Sequence, residues 1–474
     1  MRVAWQAGVI RALHEAGCDF IHADGTSGGT INLAMLLSGL SPEEMCARWS
    51  SLDVKDFASL MPPAEYLQSP SKWVAVGDAD GLVHKVFPHL GIDVECIREA
   101  DQLEGTFNVC NFTSKTCEAI PHREIDVDLL VAGISLPIFM PPVRKGAATY
   151  TDAVWIKDAN LMEAVRRGSD ELWVAWCIGN TGYYGAGPLE QYVHMIEMSA
   201  NGALFGELEQ IAEINRRRRQ GEPLFGHTRP VRLHVVKPEY PLPLDPEFFL
   251  GGIDADTLVA MGYRDARAYL DEMSADGVGL DPGATRMKDL RLGFRFRERM
   301  TGRISMRSPS NEGDLDVTLD AVGEVSDADE FLAAPVRGAP VIGSLNASRW
   351  RYPILIAGGT LRVADAPDGG TEVRYEVRFD LHGGEHLLVA AKRLHDDPGF
   401  DAYEDATTVY ATVHRGATAA DEKVGEGVLR LGAGDLRRLL TSIRPTGAHG
   451  VVDRARLVAS VGRMLLGDLW RTYV

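Results

Sequence analysis

Residues 20–37 read FIHADGTSGGTINLAMLL. The stretch has the pattern of a short apolar strand, a tight glycine turn with Ser27 at its apex, and a helix. Gly25-Thr26-Ser27-Gly28-Gly29 fits the G-x-S-x-G nucleophile elbow. A serine on a sharp strand-to-helix turn is crowded by its neighbours, so small residues are expected two before and two after it. Such a turn leaves Oγ exposed, and the Gly28 N–H then points to where an oxyanion would form. The helix that follows sets the positive end of its dipole beside the serine. An ordinary glycine-rich βα turn has the same composition, so the rest of the chain has to discriminate.

Upstream, Val3, Ala7, Ile10 and Leu13 have helical spacing, and Gly17 fits a C′ position. The chain therefore opens on a helix. Downstream, Ser41-Pro42-Glu43-Glu44 is a capped helix start. Residues 54–89, rich in proline, glycine and aromatics, suggest irregular helices and loops over a site. Strands are expected at Thr106–Phe112, Leu172–Ile178 and Val231–Val236. Helices are expected at Val127–Ile134, Leu189–Arg219 and Leu258–Met273. Apolar runs of strand length between helices point to a mainly parallel sheet covered on both faces. From Phe294 onward, alternating runs separated by turns such as Asp368-Gly369-Gly370 and His382-Gly383-Gly384 indicate an antiparallel β domain, sandwich or barrel, closed by a helix over Val451–Leu469. The expected domains are 1–275 and 290–474.

The chain has 474 residues, a net charge of −18, 45% hydrophobic residues and six cysteines, all in the first half and none in C-x-x-C. The charge argues against nucleic acid as a partner and against broad adhesion to anionic membranes. No apolar run reaches membrane-span length. Reduced thiols in a cytoplasmic or peripherally membrane-associated protein are the expectation. The tetrad Arg216–Arg219 has the place of a solvated helix C-terminus.

A serine needs a base. In an α/β-hydrolase the elbow follows several strands, and the acid and histidine come after it. Only 26 residues precede Ser27, too few for those strands. Of 13 histidines none has a telling context; His194 and His234 fall inside a helix and a strand. Asp152, in Ala148-Thr149-Tyr150-Thr151-Asp152-Ala153-Val154-Trp155, follows the Pro141-Pro142 turn and is the better candidate. By composition alone it is one acid among many.

Three motifs in order bear on the choice. They are Gly25–Gly29, then Ala132-Gly133-Ile134-Ser135-Leu136-Pro137-Ile138-Phe139-Met140-Pro141-Pro142, then Asp152 with Asp158-Ala159-Asn160-Leu161 behind it. In these, residues 2 to about 266 resemble the patatin-like phospholipases. The resemblance implies a doubly wound α/β domain and a serine–aspartate dyad without histidine, metal or cofactor. It implies Ser27 as nucleophile, Asp152 as general base and Gly28 as oxyanion donor. The substrate class is a lipid or fatty-acyl ester, with transient contact at a membrane surface and cleavage through an acyl-enzyme. Leu136, Phe139 and Met140 are expected in the core rather than along an acyl channel.

Two departures stand out. The family's D-G-[GA] is Asp152-Ala153-Val154 here. Its opening strand and G-G-G-x-R-G oxyanion loop are matched only at their tail, by Met1 and Arg2. The expectation is a reading frame that begins upstream of Met1, because a doubly wound sheet without an interior strand leaves buried edges unpaired. The alternative is a short form that acts as a lipid-binding or scaffold protein with an impaired site. The C-terminal region resembles, more faintly, the β domain of some glucose–methanol–choline-type sterol oxidases, through Met300-Thr301-Gly302, residues 353–359 and Asp405-Ala406-Thr407-Thr408. That likeness suggests a lipocalin-like sheet holding a hydrophobic ligand.

Overall fold

The apolar spacing of the first residues forms helix α1, Val3–Glu15, which buries Val3, Ala7, Val9 and Leu13. Gly17 ends it with φ 76°, a left-handed cap that glycine adopts without steric cost. The computed structural model describes residues 2–52, 79–243, 253–307, 313–366, 370–394, 407–447 and 452–461. The chain divides into two compact units, Met1–Asp289 and Leu290–Val474.

In the first unit, strand β1 (His22–Thr26) turns at Ser27 into helix α2 (Gly28–Leu37). Helix α3 (Pro42–Ser51) begins as its sequence indicates, with the Ser41 hydroxyl accepting the Glu44 N–H at 3.3 Å. Strand β2 (Glu104–Asn111) organises the sheet. It pairs in parallel with β1, and antiparallel with β3 (Thr116–Pro121) and β5 (Ala148–Asp152); β5 in turn pairs with β4 (Val143–Lys145). The α/β layering is the expected one, and the sheet is mixed. Helix α4 (Val127–Gly133), capped by Asp126, packs on β2 and β5. After helix α5 (Leu161–Arg166) come β6 (Glu171–Ala175), the long helix α6 (Pro188–Arg219), β7 (Arg232–Val236) and helix α7 (Ala255–Glu272). β6 pairs with β7 in a separate parallel pair.

Among the described residues β1 pairs only with β2, and β6 only with β7. A cavity of about 950 Å³ has consecutive residues of both strands in its walls, His22 to Asp24 and Glu171 to Ala175. Consecutive strand residues face opposite sides of a sheet, so each strand meets the cavity edge-on. Gln6 Nε2 donates to the Ala175 carbonyl at 3.0 Å, a side chain standing in for a strand partner.

The segment 54–89 is helical over 82–90, and its residues 54–78 lie outside those described. The arginine tetrad ends α6: Arg216 and Arg217 both pair with Glu213, at 2.6 and 2.8 Å. All six cysteines are free thiols; Cys46, Cys110 and Cys177 are buried, and Cys96 is exposed.

The second unit is a closed antiparallel barrel. Its eight strands are β8 (Gly293–Met306), β9 (Gly313–Val325), β10 (Arg337–Ala347), β12 (Gly358–Asp365), β13 (Thr371–Leu381), β14 (Gly384–Leu394), β15 (Thr408–Arg415) and β16 (Glu422–Arg430), the short β11 (Ile354–Leu355) lying on β10. Each pairs with the next in sequence, and β16 returns to β8, so the barrel strands have no free edge. The alternating pattern sends Met300, Leu319, Val341, Val377, Leu388 and Val409 inward. Eight strands make an interior just wide enough for side chains to fill. Among them lies a buried polar group: Lys392 Nζ is 3.0 Å from Glu298 Oε1, and the Tyr375 hydroxyl donates to the same carboxylate. Of the expected closing helix, residues 452–461 are described and helical.

Candidate active site

Ser27 closes β1 with φ 51° and ψ −128°, a backbone conformation that L-residues rarely adopt. The local packing explains the glycines around it. A Cβ at Gly25 would stand 2.9 Å from the Gly29 carbonyl oxygen and 3.1 Å from Leu33 Cβ. One at Gly28 would stand 2.0 Å from Val3 Cγ1, whereas one at Gly29 would meet only Gln6 Oε1, at 3.9 Å. The steric demand therefore falls two residues before the serine and one after it. That corrects the sequence expectation of a small residue two after: Gly29 matters because its backbone lies against Gly25.

β2 brings the second group to the serine. Thr26 is opposite Asn108, and Asp152 is opposite Val109, the next residue along the same strand. Ser27, one step past Thr26, thus meets Asp152, and its Oγ donates to Asp152 Oδ2 at 2.7 Å. Because the hydroxyl is committed there, it does not cap α2. The carboxylate is held from behind. Asp152 Oδ1 accepts the Val154 N–H at 2.9 Å, and the Asp152 N–H donates to the Ser135 carbonyl at 3.1 Å. Ala153 and Val154 form a buried 3-10 turn without positive φ, so this turn does not require the glycines of D-G-[GA]. Burial pushes Asp152 up to about 7, against the lowering effect of its hydrogen bonds with Ser27 and Val154.

A neighbouring network escaped the sequence reading. Asp24 is half-buried, with Oδ2 accepting the Thr106 hydroxyl at 2.7 Å and Oδ1 accepting Asn108 Nδ2 at 2.5 Å. Asn108 Oδ1 accepts Asn160 Nδ2 at 2.9 Å. Lys157 and the buried Glu207 pair at 2.6 Å, and Glu207 also accepts the Leu161 N–H at the start of α5. Burial pushes Asp24 up to about 7; burial and then the charge of Asp152 push Asp158 to the same level. The period-2 position of Asp24 in a short strand was the available signal, and its proximity to Asn108 is not encoded locally.

The cavity that meets β1 and β6 edge-on also reaches the serine. Ser27, Gly28, Asp158 and Asn160 line it, together with Leu136, Phe139 and Met140. These last three were expected in the core. None is fully buried, and Phe139 is 42% exposed, because residues 134–140 loop over the cavity instead of continuing α4 inward. The Gly28 N–H lies in the first turn of α2, where a helix has no internal acceptor for it. Among the described residues no histidine bonds Ser27. His194 accepts the Gly185 N–H at 2.8 Å, and His234 stacks on Trp173 at 4.3 Å and bonds Tyr269. The described residues contain no cluster of metal-ligating side chains.

Residues 1–165 match the family model for patatin-like phospholipase, a span that contains both Ser27 and Asp152. The N-terminal region carries a patatin-like phospholipase domain. No curated protein matches the chain. The family match supports lipid acyl hydrolysis as the activity class and a lipid as the substrate class. In this patatin-like domain the serine follows β1 and the aspartate ends β5, two strands that each pair with β2 at successive residues, and Ser27 lines the cavity.

Proposed function

We propose that the chain is a serine-dependent lipid acyl hydrolase that works through Ser27 and Asp152. The observation that carries the reading is the 2.7 Å hydrogen bond from Ser27 Oγ to a fully buried carboxylate. Asp152 takes the Ser27 proton as Oγ attacks the ester carbonyl. The Gly28 N–H and the positive end of α2 face the developing oxyanion. The alcohol or lyso-lipid leaves with a proton from Asp152, and an acyl-enzyme remains. Water, deprotonated by Asp152, attacks the acyl carbon and frees the fatty acid and Ser27. Phe139 and Met140 supply apolar surface beside the serine for the acyl chain.

The test is hydrolysis of a short-chain p-nitrophenyl ester by the chain and its Ser27→Ala variant. The expected result is activity in the first and a fall of about 10³-fold or more in the second. Activity that survives Ser27→Ala removes Ser27 from the mechanism. A folded, inert wild type that still binds lipid favours the scaffold alternative.

A further inference from the structure

Helix α6 changes character along its length. From Ala200 onward it buries Leu204, Leu208, Ile211 and Ile214 in the core, but no residue from Pro188 to Ser199 is fully buried. That half nevertheless exposes large apolar side chains, with Leu189 38%, Met195 47% and Met198 62% exposed. Pro188, Tyr192, Met195, Ser199, Gly202 and Gly206 follow the 4-3-4-3-4 spacing of one helix face and carry no charge. A Cβ added at Gly202 or Gly206 would meet nothing within 4 Å, whereas Ser199 on the same face donates to the Trp155 carbonyl at 2.7 Å.

A second element lies beside it. Ile138 is 59% exposed at φ 78°, a genuine outlier for a β-branched residue. Such strain persists only where surrounding contacts enforce it. Here the Tyr192 hydroxyl donates to the Pro137 carbonyl at 2.8 Å, and Phe139 packs edge-on against the Tyr192 ring at 5.3 Å. The loop is thus pinned to α6 with Ile138 turned to solvent. Phe139, Leu189 and Tyr192 also line the cavity that holds Ser27. The apolar surface is therefore continuous with the cavity wall.

The charges choose the partner. Residues 134–142 contain no ionisable side chain, and residues 181–199 contain no Lys or Arg. The ionisable groups of that stretch are turned to local partners: Glu190 accepts the Gly187 N–H, and His194 and Glu197 bond each other at 3.0 Å. Residues 134–142 and 181–199 thus offer no cation of their own to an anionic headgroup; the arginines of α6 lie at its far end, where Arg216 and Arg217 pair with Glu213.

We propose that Ile138 on the pinned loop, with Met195 and Met198 on the exposed first half of α6, seats the N-terminal unit on a zwitterionic lipid surface. The helix lies in the interfacial plane, its apolar side chains enter the boundary of headgroups and acyl chains, and the cavity takes its acyl chain from that side. The assignment of the cavity to acyl chains rests on the proposed hydrolase reading; the docking surface does not.

Flotation with phosphatidylcholine vesicles tests it, together with soluble p-nitrophenyl ester hydrolysis on the same samples. None of the three residues lines the cavity. Met195→Glu with Met198→Glu is expected to weaken vesicle binding about tenfold or more and to leave soluble-ester hydrolysis unchanged. The near-isosteric Met195→Gln with Met198→Gln should weaken it in the same direction, which guards against misfolding of the charged variant. No flotation of the wild type overturns the proposal. So does binding confined to phosphatidylserine vesicles, or binding indifferent to both variants. A dimer that the substitutions dissociate overturns it in favour of a second copy on this face. Vesicle binding that the variants abolish, in a chain without esterase activity, leaves the docking surface standing and removes the hydrolase.

Discussion

In the proposed dyad, the proton on Asp152 decides what Ser27 can do. A base accepts only as the carboxylate, and burial has moved that form to pH values above about 7. kcat/KM for a soluble ester should therefore rise with pH along a limb centred near 7 and fall away below it. Asp152→Asn should remove the limb together with about 10³-fold or more of the rate; an unshifted limb at pH 4 would show that another group titrates. The elbow makes a separate demand. Gly28→Ala should cost about 1–3 kcal/mol, because Val3 stands where the new Cβ goes. Gly29→Ala should stay within about 0.5 kcal/mol, since its Cβ makes only an ordinary contact with Gln6 Oε1 at 3.9 Å. Urea unfolding of both variants checks the contrast. The turn at Ser27 and the small residue at Gly25 were legible in the G-x-S-x-G pattern; that Gly28 also bears a steric load depends on Val3, 25 residues upstream.

Elements meet through one template strand. β2 places the ends of β1 and β5 in successive register, and this is why a serine at 27 and an aspartate at 152 share a hydrogen bond. The strand–turn–helix at 20–37 and the capped helices were legible because their signals are local. The register of β2 was not, because pairing between distant strands leaves no local mark. The same holds in the barrel. Alternation announced strands, but the burial of Glu298, Tyr375 and Lys392 against one another comes from strand closure. Lys392→Met leaves Glu298 buried without its cation and should cost about 3–5 kcal/mol by denaturant unfolding. Adding Glu298→Leu together with Tyr375→Phe should restore most of the loss, since that apolar set leaves neither a charge nor the Tyr375 hydroxyl buried without a partner.

Across the whole molecule, the two units should answer pH differently. Asp24 and Asp152 are carboxyls raised from 3.8 to about 7 by burial, and both lie in Met1–Asp289. A raised carboxyl binds its proton more tightly when folded. Its contribution to stability is present in full below about 3.8 and is lost as pH rises through 7. The N-terminal unit should thus lose stability between pH 5 and 8, each unit of pKa shift being worth about 1.4 kcal/mol. In Leu290–Val474, Asp327 and Asp421 are lowered by backbone hydrogen bonds from Glu330 and Thr418. Their contribution has the opposite sign and is lost as pH falls below the usual carboxylate range. Calorimetry at pH 5 and pH 8 should show the N-terminal transition moving down at the higher pH while the other does not follow it.

The sequence by itself determined the elbow, the α/β layering, the change to antiparallel strands after residue 290 and the candidacy of Asp152, each through residue type, period or motif order. Only the tertiary structure decided that Ser27 reaches Asp152, that Asp24 and Asn108 lie beside them, that Phe139 and Met140 line a cavity, and that the β strands close into a barrel. The reason is common to all four. Local signals act within one turn or one strand, whereas register, burial and closure are set by contacts between residues far apart in the chain.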